Sequence, residues 1–229
     1  MLKAKYNWLQ DFVYGAMDGS VTTFAVVAGV VGANLSVPVI LILGFANLFA
    51  DGFSMAVGKY SSDRAEVQRI RQVTKDEIQS IKKKPKEEKE EIFTILKKFG
   101  FKGKELERAS KVITSNPETW VHIMLHHEFH LLEENIHPLR GAITTFIAFN
   151  VIGIIPLMGY IFKDFIPYSE NYIFALTAAA TLFALFIVGT VKSRFTDQYW
   201  FLGGLETAFI GGTAATIAYV VGFLLKNIA

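Results

Sequence analysis

Three acids sit inside stretches of sequence that are otherwise apolar: Asp18, Asp51 and Glu206. Ionisable groups among membrane-length apolar segments are expensive, and they mark ion paths or relays. Counted from the Lys-bearing ends of their segments, the three lie at a common depth of roughly 9–12 Å, at ~1.5 Å per residue. Asn47, Asp51 and Met55 recur every fourth residue and form one stripe, and Asp18 and Thr22 form a similar pair. Carboxylate, amide, hydroxyl and thioether donors on such stripes suit a divalent cation. The alternative is that Asp18 and Asp51 are interfacial groups paired with Lys5, Lys59 or Arg64.

A second set of acids lies in the charged middle of the chain. Glu66 and Glu77 share a helical stripe with Ile70, Val73 and Ile81, and Glu88 and Glu91 align with Ile92, Ile95 and Phe99. Further on, Glu128 interrupts a stripe of Trp120, Val121, Met124 and Leu131. Inward carboxylates from three helices are costly unless a cation neutralises them. A divalent metal would do so, with Met124 as a soft ligand. The competing reading is ordinary salt bridging on solvated helices. His122, His126, His130 and Glu134 are auxiliary ligands or solvated polar residues, and the run from His127 to His130 is not a zinc-protease motif.

The elements that must position these residues follow from hydropathy. Apolar residues make up 52% of the 229, and the charges are unevenly placed, which favours a membrane class. With a net charge of +2 there is no case for nucleic acid, and with no Cys there is no thiolate site. Five segments reach or approach the ~20 residues that a bilayer core of about 30 Å requires. They are placed at 12–33, 38–57, 139–162, 172–191 and 200–225. Lys3 and Lys5, the basic middle of the chain, and Lys192 with Arg194 all fall on one side, which predicts a cytoplasmic N-terminus and insert.

The fold class expected is therefore an all-α integral membrane protein. Residues 1–60 carry spans one and two, 61–137 an inserted cytoplasmic domain of three helices, and 138–229 spans three to five. The insert reads as helices over 63–83, 86–99 and 117–137, with a short helical piece around 104–113. Pro85, Gly100, Gly103 and Pro117 are the breakers.

At this point the chain resembles the vacuolar iron transporter family over nearly its whole length. The residues that carry the resemblance are Asp18 to Thr23, Ala50 to Met55 with Gly58-Lys59-Tyr60, and Met124 to Glu128. Gly153 to Leu157 and the run from Gly211-Gly212 through Tyr219 and Gly222 add to it. The resemblance implies a five-span homodimer in a lipid bilayer that exports Fe²⁺, and often Mn²⁺ or similar ions such as Zn²⁺ or Co²⁺, in exchange for protons. The membrane would be vacuolar in a eukaryote and the plasma membrane in a prokaryote. It places Asp18 and Met55 on the transport path, Met124 and Glu128 among the insert's ligands, and Glu77, Glu88 and Glu91 among its other acids. Asn47 stands where family members often have a glutamate, and Leu125 where a second Met is common. Asp51 and Glu206 are the candidate replacements for that glutamate.

The metal is expected as transported substrate, with no catalytic cofactor and no enzymatic activity. Two other classes stay open: a membrane-anchored metal-binding or storage protein, and a ferritin-like oxidase. The oxidase requires paired Glu-x-x-His motifs, and Glu134 to His137 is a single match. A tether has no use for acids within its spans.

Overall fold

The computed structural model describes residues 8–129, 131, 136–165 and 170–228. Lys3, Lys5, His130 and Glu134 of the reading above lie outside them. Among the described residues the regular structure is entirely helical: α1 (Trp8–Gly32), α2 (Val37–Lys83), α3 (Pro85–Lys98), α4 (Gly103–Thr114), α5 (Pro117–His127), α6 (Pro138–Gly153), α7 (Ile155–Ile161), α8 (Glu170–Lys192) and α9 (Trp200–Leu225). Two compact units result, Tyr6–Ser61 with His137–Ala229, and Ser62–Ile136.

In the first unit, α1, α8, α9 and the apolar part of α2 are each long and apolar enough to cross a membrane. The expected third span is bent by 43° where α6 gives way to α7. Pro156 supplies no amide proton to continue the ladder, and the chain closes the gap with a tighter bond from the Leu157 amide to the Ile154 carbonyl, 2.9 Å. Helix α1 is central and packs against α6, α8 and α9. Glycines let it do so at backbone distance, as small residues do between helices in lipid. A Cβ on Gly19 would meet the Phe149 backbone, with its carbonyl carbon at 2.9 Å, and Gly15 meets Thr145 one turn away in the same manner. At the other end of α1, Gly32 abuts the Tyr219 backbone of α9, and Gly222 abuts Gly29. The chain leaves α1 through Asn34, whose φ of 58° is tolerated by a short polar side chain.

Within the second unit, no separate helix starts near Asp63: α2 runs unbroken for 47 residues. A lone Gly58 without proline weakens a helix by only about 1 kcal/mol, too little to end it. Helix α3 stops at a glycine with φ of 93°, Gly100, and the Phe101 amide returns to the Leu96 carbonyl at 3.2 Å. The short helical piece is a 12-residue helix, α4. Asn116 caps α5 by accepting from the Thr119 amide at 3.2 Å, with Pro117 following in the first turn.

The expected third helix is shorter than its sequence suggests, ending at His127 instead of running to His137. Leu131 is the reason. Its amide bonds the Leu125 carbonyl at 2.9 Å and its side chain is buried beside Val121 and Leu125. Folding back buries a leucine that a continued helix would carry past this cluster. The core of the unit joins Ile92, Ile95 and Leu96 of α3 to Leu106, Trp120 and Met124.

Candidate functional site

The stripe residues of the first unit meet along a polar seam between α1 and α2. At one end the Lys59 ammonium lies 3.3 Å from Asp11 Oδ1. At the other end the Asn47 amide nitrogen lies 3.4 Å from both Thr22 Oγ1 and Thr23 Oγ1. Between these two contacts along the helices lie Asp18 on α1 and Asp51 on α2. The spacings agree with antiparallel helices in fixed register: steps of 7 and 4 residues along α1, from Asp11 to Asp18 to Thr22, match steps of 8 and 4 back along α2, from Lys59 to Asp51 to Asn47. Thr22 also donates to the Asp18 carbonyl at 2.8 Å, a local bond that leaves its oxygen available to Asn47. Met55, one turn from Asp51, is half-buried against the apolar cluster of Val27, Leu48 and Phe149.

Glu206 has a different setting. Its Oε2 accepts from the Lys192 ammonium at the end of α8 at 3.3 Å and from Gln198 Nε2 in the following connection at 3.1 Å, so its charge is already compensated. Asp11 is the seam residue that the sequence reading passed over. Its sevenfold spacing from Asp18 and the fourfold spacing of Lys59 from Met55 were the available signals.

Four acids of the second unit gather where α2, α3 and the end of α5 meet. Glu77 is buried at 4% exposure and Glu88 at 8%. Burial, followed by the neighbouring charges of Glu88, Glu128 and Glu91, pushes the Glu77 carboxyl up to about 7. Desolvation and Glu91 likewise push Glu128 up to about 7, and Glu88 is raised by burial first and Glu91 second. Glu77 lies nearest Glu88, and Glu128 nearest Glu91, so the four acids approach one another as two neighbouring pairs. Oε1 of Glu77 is buried with no hydrogen-bond partner among the described residues. Met124 is fully buried in the adjoining core.

The inward placement expected from spacing applies only in part. Glu77 and Glu88 are buried, whereas Glu91 and Glu128 are exposed, and Glu128 stands past the last turn of α5. Spacing had extrapolated the α5 stripe beyond the point where Leu131 turns the chain. Glu66 stands half-buried beside Arg69 at 3.6 Å, and Glu87 pairs with Lys84 at 2.7 Å, both ordinary ion pairs one turn apart. As they stand, no three His, Asp or Glu side chains among the described residues are arranged to hold a metal ion. His126 and His127 stack edge to face, 4.5 Å between ring centres.

Apolar helices of membrane length, two of them meeting along a polar seam, define a polytopic membrane protein. Residues 9–223 match the model of the VIT family, and the chain belongs to that family. Among its relatives, the vacuolar iron transporter of Plasmodium berghei is 32% identical over 225 residues, covering 96% of this chain and 82% of the relative. Vacuolar iron transporter 1 of Arabidopsis thaliana is 31% identical over 220 residues, covering 96% and 86%. The vacuolar iron transporter of Toxoplasma gondii is 32% identical over 226 residues, covering 96% and 75%.

Proposed function

We propose that the chain carries a divalent metal ion, Fe²⁺ first and Mn²⁺ second, out of the cytoplasm in exchange for protons. The observation that carries this reading is that two apolar segments of membrane length each bring a carboxylate, Asp18 and Asp51, to one seam held by Asn47 on Thr22 at 3.4 Å and Lys59 on Asp11 at 3.3 Å. Two such carboxylates repel each other unless protons or a cation compensate them, which is the exchange an antiporter needs. Met55 adds a soft donor that favours Fe²⁺ over Mg²⁺ or Ca²⁺. Asn47 and Thr22 contribute neutral oxygens at the far end of the seam. Glu77, Glu88, Glu91, Glu128 and Met124 then form a cytoplasmic collecting site for the same metal. α6 and α7 together serve as the third of five spans, and the working form is a homodimer. In a eukaryotic cell the membrane is the vacuolar one, as the names of the relatives suggest.

The deciding experiment is Fe²⁺ uptake into proteoliposomes under reducing conditions with an imposed pH gradient and clamped voltage. Wild-type flux that follows both metal and proton gradients supports the reading, and proton movement without metal dependence overturns it. A protein that binds Fe²⁺ but moves none would be the membrane-anchored binder instead.

A further inference from the structure

The polar seam contains a cation of its own. Lys59 continues the fourfold stripe of Asn47, Asp51 and Met55, and its ammonium lies on the α1 side of that stripe against Asp11. Its contact with Asp11 at 3.3 Å is sheltered, with side-chain exposures of 26% and 12%. Met55 is one helical turn away, about 6 Å along the axis. A positive charge thus sits on an aspartate one turn from a thioether, a pairing of donors that would also suit a divalent cation.

We propose that Lys59 is a tethered cation that closes this end of the seam and is displaced from Asp11 by the incoming divalent ion. The proposal rests on the transport reading above and adds an element of selectivity to it. A monovalent ion gains from Asp11 no more Coulomb energy than the ammonium it evicts, whereas a divalent ion gains about twice as much at equal distance. Na⁺ and K⁺ are therefore refused while Fe²⁺ and Mn²⁺ enter. The flexible four-carbon stem lets the ammonium withdraw without moving the helix.

The alternative is that the pair only pins α1 to α2. The two roles differ in sign. If Lys59 competes with metal, Lys59→Met lowers the half-saturating Mn²⁺ concentration and Asp11→Asn raises it, each by roughly fivefold for a sheltered pair. The double variant returns near wild type, and Lys59→Arg stays there. With Lys59→Met, 100 mM K⁺ is expected to begin inhibiting Mn²⁺ flux. If the pair is only structural, both single variants lower thermal stability and maximal flux together and leave half-saturation unchanged. Mn²⁺ binding to the full chain in detergent is measured in parallel. A wild type that binds but does not transport overturns the transport reading alone, because the opposed affinity shifts of the two variants still report displacement. Shifts in the same direction, or none, overturn the proposal.

Discussion

The amide nitrogen of Asn47 on α2 lies 3.4 Å from the hydroxyl of Thr22 on α1, and that hydroxyl donates in turn to the carbonyl of Asp18 at 2.8 Å. A neutral contact thus ties the two helices one turn from the carboxylate pair. Asp18 holds its place through backbone and neighbours, so changing its charge need not change its position.

Asp18→Asn is accordingly expected to abolish Fe²⁺ flux, by at least about a hundredfold if the metal gives up a charge-bearing ligand in the path. The protein should remain folded, because asparagine keeps the shape. Flux in proteoliposomes together with a melting curve checks both halves, and flux close to wild type would remove Asp18 from the path.

The raised carboxyls of the Ser62–Ile136 unit predict its response to pH. Glu77 and Glu128 sit at about 7, against an ordinary 4.5, so the folded state holds more protons than the unfolded state between those values. Stability contributed by this site is therefore fully present below about pH 4.5, falls as pH rises from there, and is lost by the time pH passes 7. Glu77→Gln should stabilise the metal-free protein by about 1–2 kcal/mol at pH 8 and by little at pH 5. Melting temperatures at the two pH values decide it, and an equal effect at both would contradict the assignment.

Metal should reverse that dependence, since a divalent ion needs carboxylates without their protons. Mn²⁺ binding to the full chain is expected to weaken by roughly tenfold or more from pH 7.5 to 6, with protons released on binding. Glu88→Ala with Glu91→Ala should remove one carboxyl from each of the two pairs, weaken binding, and reduce flux without abolishing it. Calorimetry in two buffers of different ionisation heat reads both affinity and proton release. Unchanged affinity in the double variant would return these acids to a structural role.

Gly19→Ala tests the crossing of α1 and α6. Its added methyl meets the Phe149 backbone, which cannot move as a flexible side chain would. A cost of about 1–3 kcal/mol is expected from overpacking, read as a lowered melting temperature in detergent. Gly58→Ala, where nothing lies within 4 Å, is the control and should be neutral or slightly stabilising.

Much of this architecture was legible because apolar length and breakers are local signals. The spans, the stop at Gly100 and the start at Pro117 each depend on a few consecutive residues. What was not legible depended on distant contacts. The end of α5 at His127 is set by Leu131 reaching back to Val121 and Leu125, which no periodicity reports. Helix α2 was divided on the change from apolar to charged composition, but a change of solvent is not a helix breaker. In the seam, Asp51 and Asn47 were visible as a stripe, whereas Asp11 needed its partner Lys59 on another helix to give it meaning. Glu206 was grouped with Asp18 by depth alone, and depth does not reveal that Lys192 and Gln198 already engage it.

The glycine contacts of α1 also decide which side of the seam is able to move. Gly15 and Gly19 set α1 backbone to backbone on α6, and Gly32 does the same on α9. Across the seam, by contrast, α2 meets its other neighbours through side chains: Gly44 against Leu157, and Gly52 against Phe149 and the amide of Asn150. Rigid backbone contacts shear poorly, while leucine and phenylalanine change rotamer and slide. α1 is thus a fixed rail and α2 the rider, so spin labels on α1 and α6 should keep one separation throughout a transport cycle while labels on α1 and the apolar part of α2 show two.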